Sequence, residues 1–170
     1  RAWSTRARIL RRWETRGKAR VPVGASSARE GGFLLVEATT AEGLKLNNPA
    51  GHRDPGESPA EGCAREALEE TTHLFTPTAL VGVYLSRFQR ALPEQGQVED
   101  ITYLRFAFCG ELGAAQAHLQ LDEGIVRTLW LTPDEIRAST DRHRRPLPPR
   151  CLDDYLPGQA RKNVVGGSQV

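Results

Sequence analysis

The chain has 170 residues and a mass of 18.8 kDa, with 39% hydrophobic and 26% charged residues, which suits one soluble domain with an arm at either end and is too little for two full domains. Its longest apolar runs, such as Phe33 to Val36 and Ala79 to Val83, are strand-sized and far short of the roughly 18 residues a membrane-crossing helix needs, so a pore or membrane partner is excluded. The net charge of +2 hides an asymmetry: residues 1–30 hold nine Lys or Arg against two Glu, net +7, which leaves the remainder at −5 and argues against nucleic-acid binding by the main body.

In chain order, residues 1–19 form a basic arm, expected to be a poorly ordered tail. It shares the Arg-rich, acid-poor composition of a transit peptide without a clear amphipathic pattern. A third functional reading, contact with an anionic polymer, would rest on this arm alone. The chain contains no Met, so Arg1 is expected not to be a native start. Val21 to Ser27 is a weak strand, with Ser26 and Ser27 where a sheet would bury apolar residues. A turn at Arg29–Gly32 then leads to a strand at Phe33–Glu37, and the two are expected to form a hairpin.

Pro49 disfavours helix at Asn48, and Gly51 permits close backbone approach. Residues 51–57 read as a loop. Ser58, Pro59 and Glu61 supply an N-cap, a first-turn proline and a capping box, which predict a helix from Pro59 to about Thr71. Strands follow at Ala79–Leu85 and Ile101–Phe108, antiparallel across a polar loop from Gln89 to Asp100. A strand at Val126–Leu131 precedes a second capped helix from Pro133 to about Ala138. The tail from Asp141 is basic and proline-rich. One domain over residues 20–158 is expected, with 159–170 a flexible tail. Cys63, Cys109 and Cys151 are scattered and show no CxxC spacing, which argues against a disulfide framework or cysteine-rich zinc site and fits a reducing cytoplasm.

Glu66, Glu69 and Glu70 lie three and four positions apart, so a helix gathers them on one face. An acidic face of this kind commonly serves solubility alone. It also offers oxygen ligands to a hard divalent cation, and the glycines before the helix N-terminus offer backbone N–H groups to phosphate. Metal with phosphate is the pairing used to hydrolyse a phosphoanhydride.

The spacing Gly51, five residues, Glu57, seven residues, Arg65-Glu66-Ala67-x-Glu69-Glu70 resembles the Nudix box, Gly-x5-Glu-x7-Arg-Glu-U-x-Glu-Glu-x-Gly-U, in which U is a bulky aliphatic residue. Thr72 stands at the closing Gly, His73 at the following aliphatic, and Ala67 at the first U. A Gly at the closing site suits a left-handed helix cap, so Thr72 is expected to strain the turn or force another exit. His73 is a weak ligand candidate and more simply a turn residue. Asn48 to His52, Leu104-Arg105-Phe106, the Trp130 strand with its helix, and Arg145-Pro146-Leu147 look like the NudJ-type branch of the family.

The resemblance implies a Nudix-type α/β/α sandwich with a mixed β-sheet, and Mg2+-dependent hydrolysis, with Mn2+ possible, of a small organic or nucleoside pyrophosphate. That branch is known for removing phosphate from thiamine pyrophosphate, its pyrimidine precursor, and nucleoside di- and triphosphates. Glu69 and Glu70 look like metal ligands, Glu66 like a further ligand or the general base, and the Ala50 carbonyl like the group that completes the shell. Glu57 and Arg65 look like an ion pair that orients Glu66. Glu123 stands where such proteins often place an additional catalytic carboxylate, although by itself it is a turn residue. Arg105 either faces substrate phosphate beside Gly51 or lies on the open sheet face. Trp130, Phe106 and Tyr84 either stack on a substrate ring or belong to the core. The alternatives are a nucleotide diphosphatase that releases pyrophosphate and a non-catalytic Nudix-fold binding module. A monomer and a homodimer are both left open.

Overall fold

The computed structural model describes residues 22–26, 28–29, 31–92, 97–144, 146–156 and 167–169. Its elements are strands β1 (Pro22–Ser26), β2 (Ala28–Arg29), β3 (Gly32–Thr40), β4 (Gly43–Asn47) and β5 (Ala50–His52), helix α1 (Pro59–Thr71), strands β6 (His73–Leu92), β7 (Gln97–Ala115) and β8 (Ile125–Leu131), helices α2 (Pro133–Ala138) and α3 (Leu147–Tyr155), and strand β9 (Gly167–Gln169). The arm at 1–19 and Arg145 lie outside the described residues.

The larger sheet has the order β5-β1-β7-β6-β9. β1 pairs antiparallel with β5 and parallel with β7, which makes the sheet mixed. The smaller sheet is built on β3, which pairs antiparallel with β2, β4 and β8. The expected hairpin of the first strand with Phe33–Glu37 is therefore corrected. Only the two-residue β2 folds back on β3, and β1 crosses into the larger sheet, where Ser26 stands opposite Cys109. The expected Gln89–Asp100 loop is also largely strand: β6 and β7 stay in register through Gln89↔Asp100 to Leu92↔Gln97. Backbone pairing carries that ladder through a stretch whose Gln89, Arg90, Gln97, Glu99 and Asp100 give little strand signal of their own.

α1 begins and ends where its capping signals place it, with Ser58 and Glu61 exchanging both capping-box hydrogen bonds. Cys63 and Ala67 bury its apolar stripe against Phe75, Phe108 and Leu112 on one face of the larger sheet. The opposite face packs Val81, Tyr84, Ala107 and Cys109 against Leu147 and Cys151 of α3. Leu152 of the same helix joins Phe33, Leu35, Leu46 and Ile136 in the core of the smaller sheet. α3 thus wedges between the sheets. It was masked in the sequence by its prolines, although Leu147, Cys151, Leu152 and Tyr155 have helical spacing and prolines are tolerated in a first turn. The helices on both faces of a mixed sheet form the α/β/α sandwich.

Thr72 takes the left-handed conformation itself, with φ 59° and ψ 3°, and its N–H donates to the Leu68 carbonyl at 2.8 Å. The cap geometry of a glycine is kept with a β-branched residue in it. His73 begins β6, and its Nδ1 lies 3.0 Å from the Gly113 carbonyl oxygen, tying the ring to β7 rather than to the carboxylates.

Candidate active site

Arg65 organises the carboxylates of α1 and the loop before it. Its Nε donates to Glu57 Oε1 at 2.7 Å and its Nη2 to Glu57 Oε2 at 3.2 Å, a two-pronged pairing that suits a planar guanidinium. Nη1 donates at 2.9 Å to both Glu66 Oε1 and Glu69 Oε2, while Nη2 also donates to the His52 carbonyl at 2.9 Å. One side chain therefore joins the loop, β5 and the helix. Glu57 is held further by the Asp54 N–H at 2.9 Å, and Arg53 Nη1 donates to the Glu57 carbonyl. The Arg65 hydrogen bond is the main reason the Glu57 carboxyl lies below the usual carboxylate range.

Gly51 makes room for Glu66. A Cβ on residue 51 would lie 1.9–2.1 Å from the Glu66 carboxyl atoms, so the carboxyl rests directly on the β5 backbone. Burial is the largest influence raising the Glu66 carboxyl, opposed by Arg65 and reinforced by Glu69 and Asp122. One turn along, Glu70 Oε2 accepts the Ala50 N–H at 2.8 Å. Burial pushes Glu70 up to about 7, offset in part by that N–H and by Arg144, with the charges of Glu66 and Asp122 adding to the rise.

The contact the structure shows at Ala50 is thus through its N–H. Glu123 is exposed, and its own N–H donates to Asp122 Oδ1 at 2.8 Å. Asp122 is the carboxylate on this turn whose charge raises both Glu66 and Glu70, and its N–H donates to the Glu69 carbonyl at 2.9 Å, docking the turn on the end of α1. In the sequence Asp122 is marked only by the acidic pair Asp122-Glu123 ahead of Gly124, and it stands outside the motif that picks out the helix carboxylates. Arg105 pairs with Tyr84 across β6 and β7, and its charge reaches the thiol of Cys151 on α3, which places it on the sheet face opposite α1. Tyr84 is 2% exposed and donates to Asp154 Oδ2 at 2.6 Å, whereas Trp130 is 40% exposed.

Among the described residues no three His, Cys, Asp or Glu side chains converge closely enough to hold an ion. Glu66 and Glu69 are turned to Arg65, and Glu70 to Ala50. The donor set nevertheless fits a hard divalent cation, because every candidate ligand is an oxygen and the half-buried Glu70 has the negative charges of Glu66 and Asp122 beside it. Rotation of Glu69 away from Arg65 would leave the brace on Glu57 and Glu66 intact.

A NUDIX domain model matches residues 18–151, and the chain belongs to the Nudix family of hydrolases that act on pyrophosphate linkages. Over 142 residues it is 30% identical to "Phosphatase NudJ" of Escherichia coli K12, a match that spans 84% of this chain and 86% of that protein. A Nudix hydrolase from Nitrosomonas europaea is 41% identical and superposes with a TM-score of 0.70, covering 84% of this chain and 91% of the other. The MutT protein of Methanosarcina mazei Go1, at 24% identity and a TM-score of 0.57 over 86% of this chain and 96% of that one, shares the fold. No helix among the described residues is long and apolar enough to cross a membrane.

Proposed function

We propose that this Nudix hydrolase is a Mg2+-dependent phosphohydrolase, able to use Mn2+, that removes orthophosphate from a small organic or nucleoside di- or triphosphate. The observation that carries this reading is the Arg65 network, which gathers Glu57, Glu66 and Glu69 beside the half-buried Glu70. The NudJ name of the 30% relative supports release of phosphate.

In this reading Glu66, Glu69 and Glu70 hold the cation together with the Ala50 backbone. The cation would acidify water and offset the charge that builds on the phosphoryl oxygens. Glu66, seated on Gly51 with a raised affinity for protons, accepts the proton of the attacking water. Arg65 and Glu57 are positioning residues: their two-pronged pair fixes the direction from which Arg65 holds Glu66. The turn bearing Asp122 and Glu123 brings further carboxylate charge to the cluster, with Asp122 the better placed of the two. Arg105, on the sheet face opposite α1, and the backbone at Gly51, beside the Glu66 carboxyl, are the substrate contacts of this reading.

The test is to incubate the chain with Mg2+ and a panel of thiamine pyrophosphate and nucleoside di- and triphosphates, following products by phosphorus NMR with Glu70→Gln as control. Orthophosphate release that vanishes in the variant is expected. Pyrophosphate release from triphosphates would mark a diphosphatase instead, and no turnover by the folded chain would leave a binding module.

A further inference from the structure

The sheet face opposite α1 carries a row of rings whose first member, His52, stands one residue beyond Gly51 on the edge strand β5. His52 directly follows Gly51, and its carbonyl is held by Arg65 Nη2 at 2.9 Å. The His52 ring meets Tyr103 of β7 edge-on, with centroids 6.0 Å apart and planes at 65°. Tyr103 in turn meets Phe88 of β6 at 5.2 Å and 57°. Strand alternation puts Tyr103 on the same face as Arg105, Ala107 and Cys109. α3 covers the last two, while Tyr103 and Phe88 are half-buried and His52 is exposed.

We propose that His52, Tyr103 and Phe88 form the subsite that stacks the heteroaromatic ring of the pyrophosphate substrate, beside the cationic Arg105 on the same face. This deepens the function proposed above and rests on it, since the pyrophosphate must sit at the α1 carboxylates for its organic group to reach the row. A tilted row of rings leaves π-faces and edges of mixed polarity, which accept a planar ring without demanding one hydrogen-bonding pattern. A guanidinium two residues along β7 adds charge for a phosphate oxygen or for the ring itself. The row links this recognition to the chemistry through one backbone segment. Arg65 holds Glu66 with one nitrogen and the His52 carbonyl with another, so the ring platform and the carboxylates share a brace.

The experiment compares equilibrium binding, in the presence of Mg2+, of AMP and thiamine monophosphate with that of ribose 5-phosphate, which has a phosphate and no aromatic ring. The full chain should bind at least one ring-bearing ligand about tenfold more tightly than ribose 5-phosphate, as expected for a stacked ring. His52→Ala and Tyr103→Ala should each collapse that ratio toward one, and Tyr103→Phe should keep most of it. His52 is exposed, so its variant decides the matter if Tyr103→Ala fails to fold. No preference in the wild type, or an unchanged ratio in folded His52→Ala and Tyr103→Ala, would overturn the assignment. Loss of phosphate release in the NMR experiment with the binding ratio intact would remove the hydrolytic reading alone.

Discussion

Gly51 and Glu66 compete for one volume: the place a Cβ would take on residue 51 lies 1.9 Å from the Glu66 carboxyl carbon. The glycine of the box is required by the position of a carboxylate in the folded protein rather than by its own backbone angles, since residue 51 is not among the described residues with positive φ.

Gly51→Ala should therefore fold, because the clash falls on the far end of a flexible side chain, yet displace Glu66 from its seat. Phosphate release should fall on the order of 100-fold or more, the usual contribution of a positioned proton acceptor. Steady-state kinetics beside a thermal melt measure this, and unchanged kcat/KM in a folded variant would refute the role given to Glu66.

Thr72→Gly should stabilise the protein. Left-handed backbone costs a non-glycine residue about 1–2 kcal/mol, against about 0.5–1 kcal/mol of extra chain entropy lost by glycine. The difference, between zero and about 1.5 kcal/mol, raises the melting point by roughly 2–4 °C per kcal/mol for a chain of this size. Calorimetric melts of the two proteins check it, and a lower melting point for the glycine variant would mean that the Thr72 side chain contributes contacts exceeding the strain.

Glu70 makes the cation-free protein less stable as pH rises. Its folded pKa of about 7 lies above the unfolded value of about 4.3, so between those limits the folded state holds the extra proton. Stability without metal should fall from pH 5 to pH 8, and Glu70→Gln should flatten that slope while abolishing turnover. Denaturant titrations in a chelator at several pH values would show whether the slope belongs to this residue.

Glu37 acts with the opposite sign. Its side chain is 4% exposed and accepts from Arg127 Nε and Arg142 Nη2, each at 2.7 Å, so it ties β3 to β8 and to the turn that follows α2. The Arg127 hydrogen bond is the largest influence lowering its pKa, with Arg142 helping against burial. The stabilisation is complete above the unfolded pKa of about 4.3 and is lost as pH falls through the lower folded value. Glu37→Gln should cost on the order of 1–3 kcal/mol at pH 7, as for a buried charge-assisted hydrogen bond, and much less in acid. Urea unfolding at pH 7 and pH 3 makes the comparison.

Local chemistry accounts for what the sequence determined by itself. Ser58, Pro59 and Glu61 set the start of α1 through bonds that span three residues, and helical periodicity put Glu66, Glu69 and Glu70 on one face. The Thr132 and Glu135 pair did the same for α2. The spacing from Gly51 to Glu70 was enough to identify the family, because these residues crowd one loop and one helix.

Long-range pairing decided the rest. β1, with Pro22, Gly24, Ala25 and Ser26 around Val23, has too little strand propensity to announce its place between β5 and β7, and only the two neighbouring strands, reached from 26 to more than 80 residues away, complete its ladder. α3 is a helix whose prolines disguise it until its apolar stripe finds both sheets. Asp122 joins the carboxylates because its turn docks on the end of α1, and His52 meets Tyr103 across an intervening strand. Such relationships join residues about 50 positions apart, beyond the reach of any local period or cap, so packing alone brought them together.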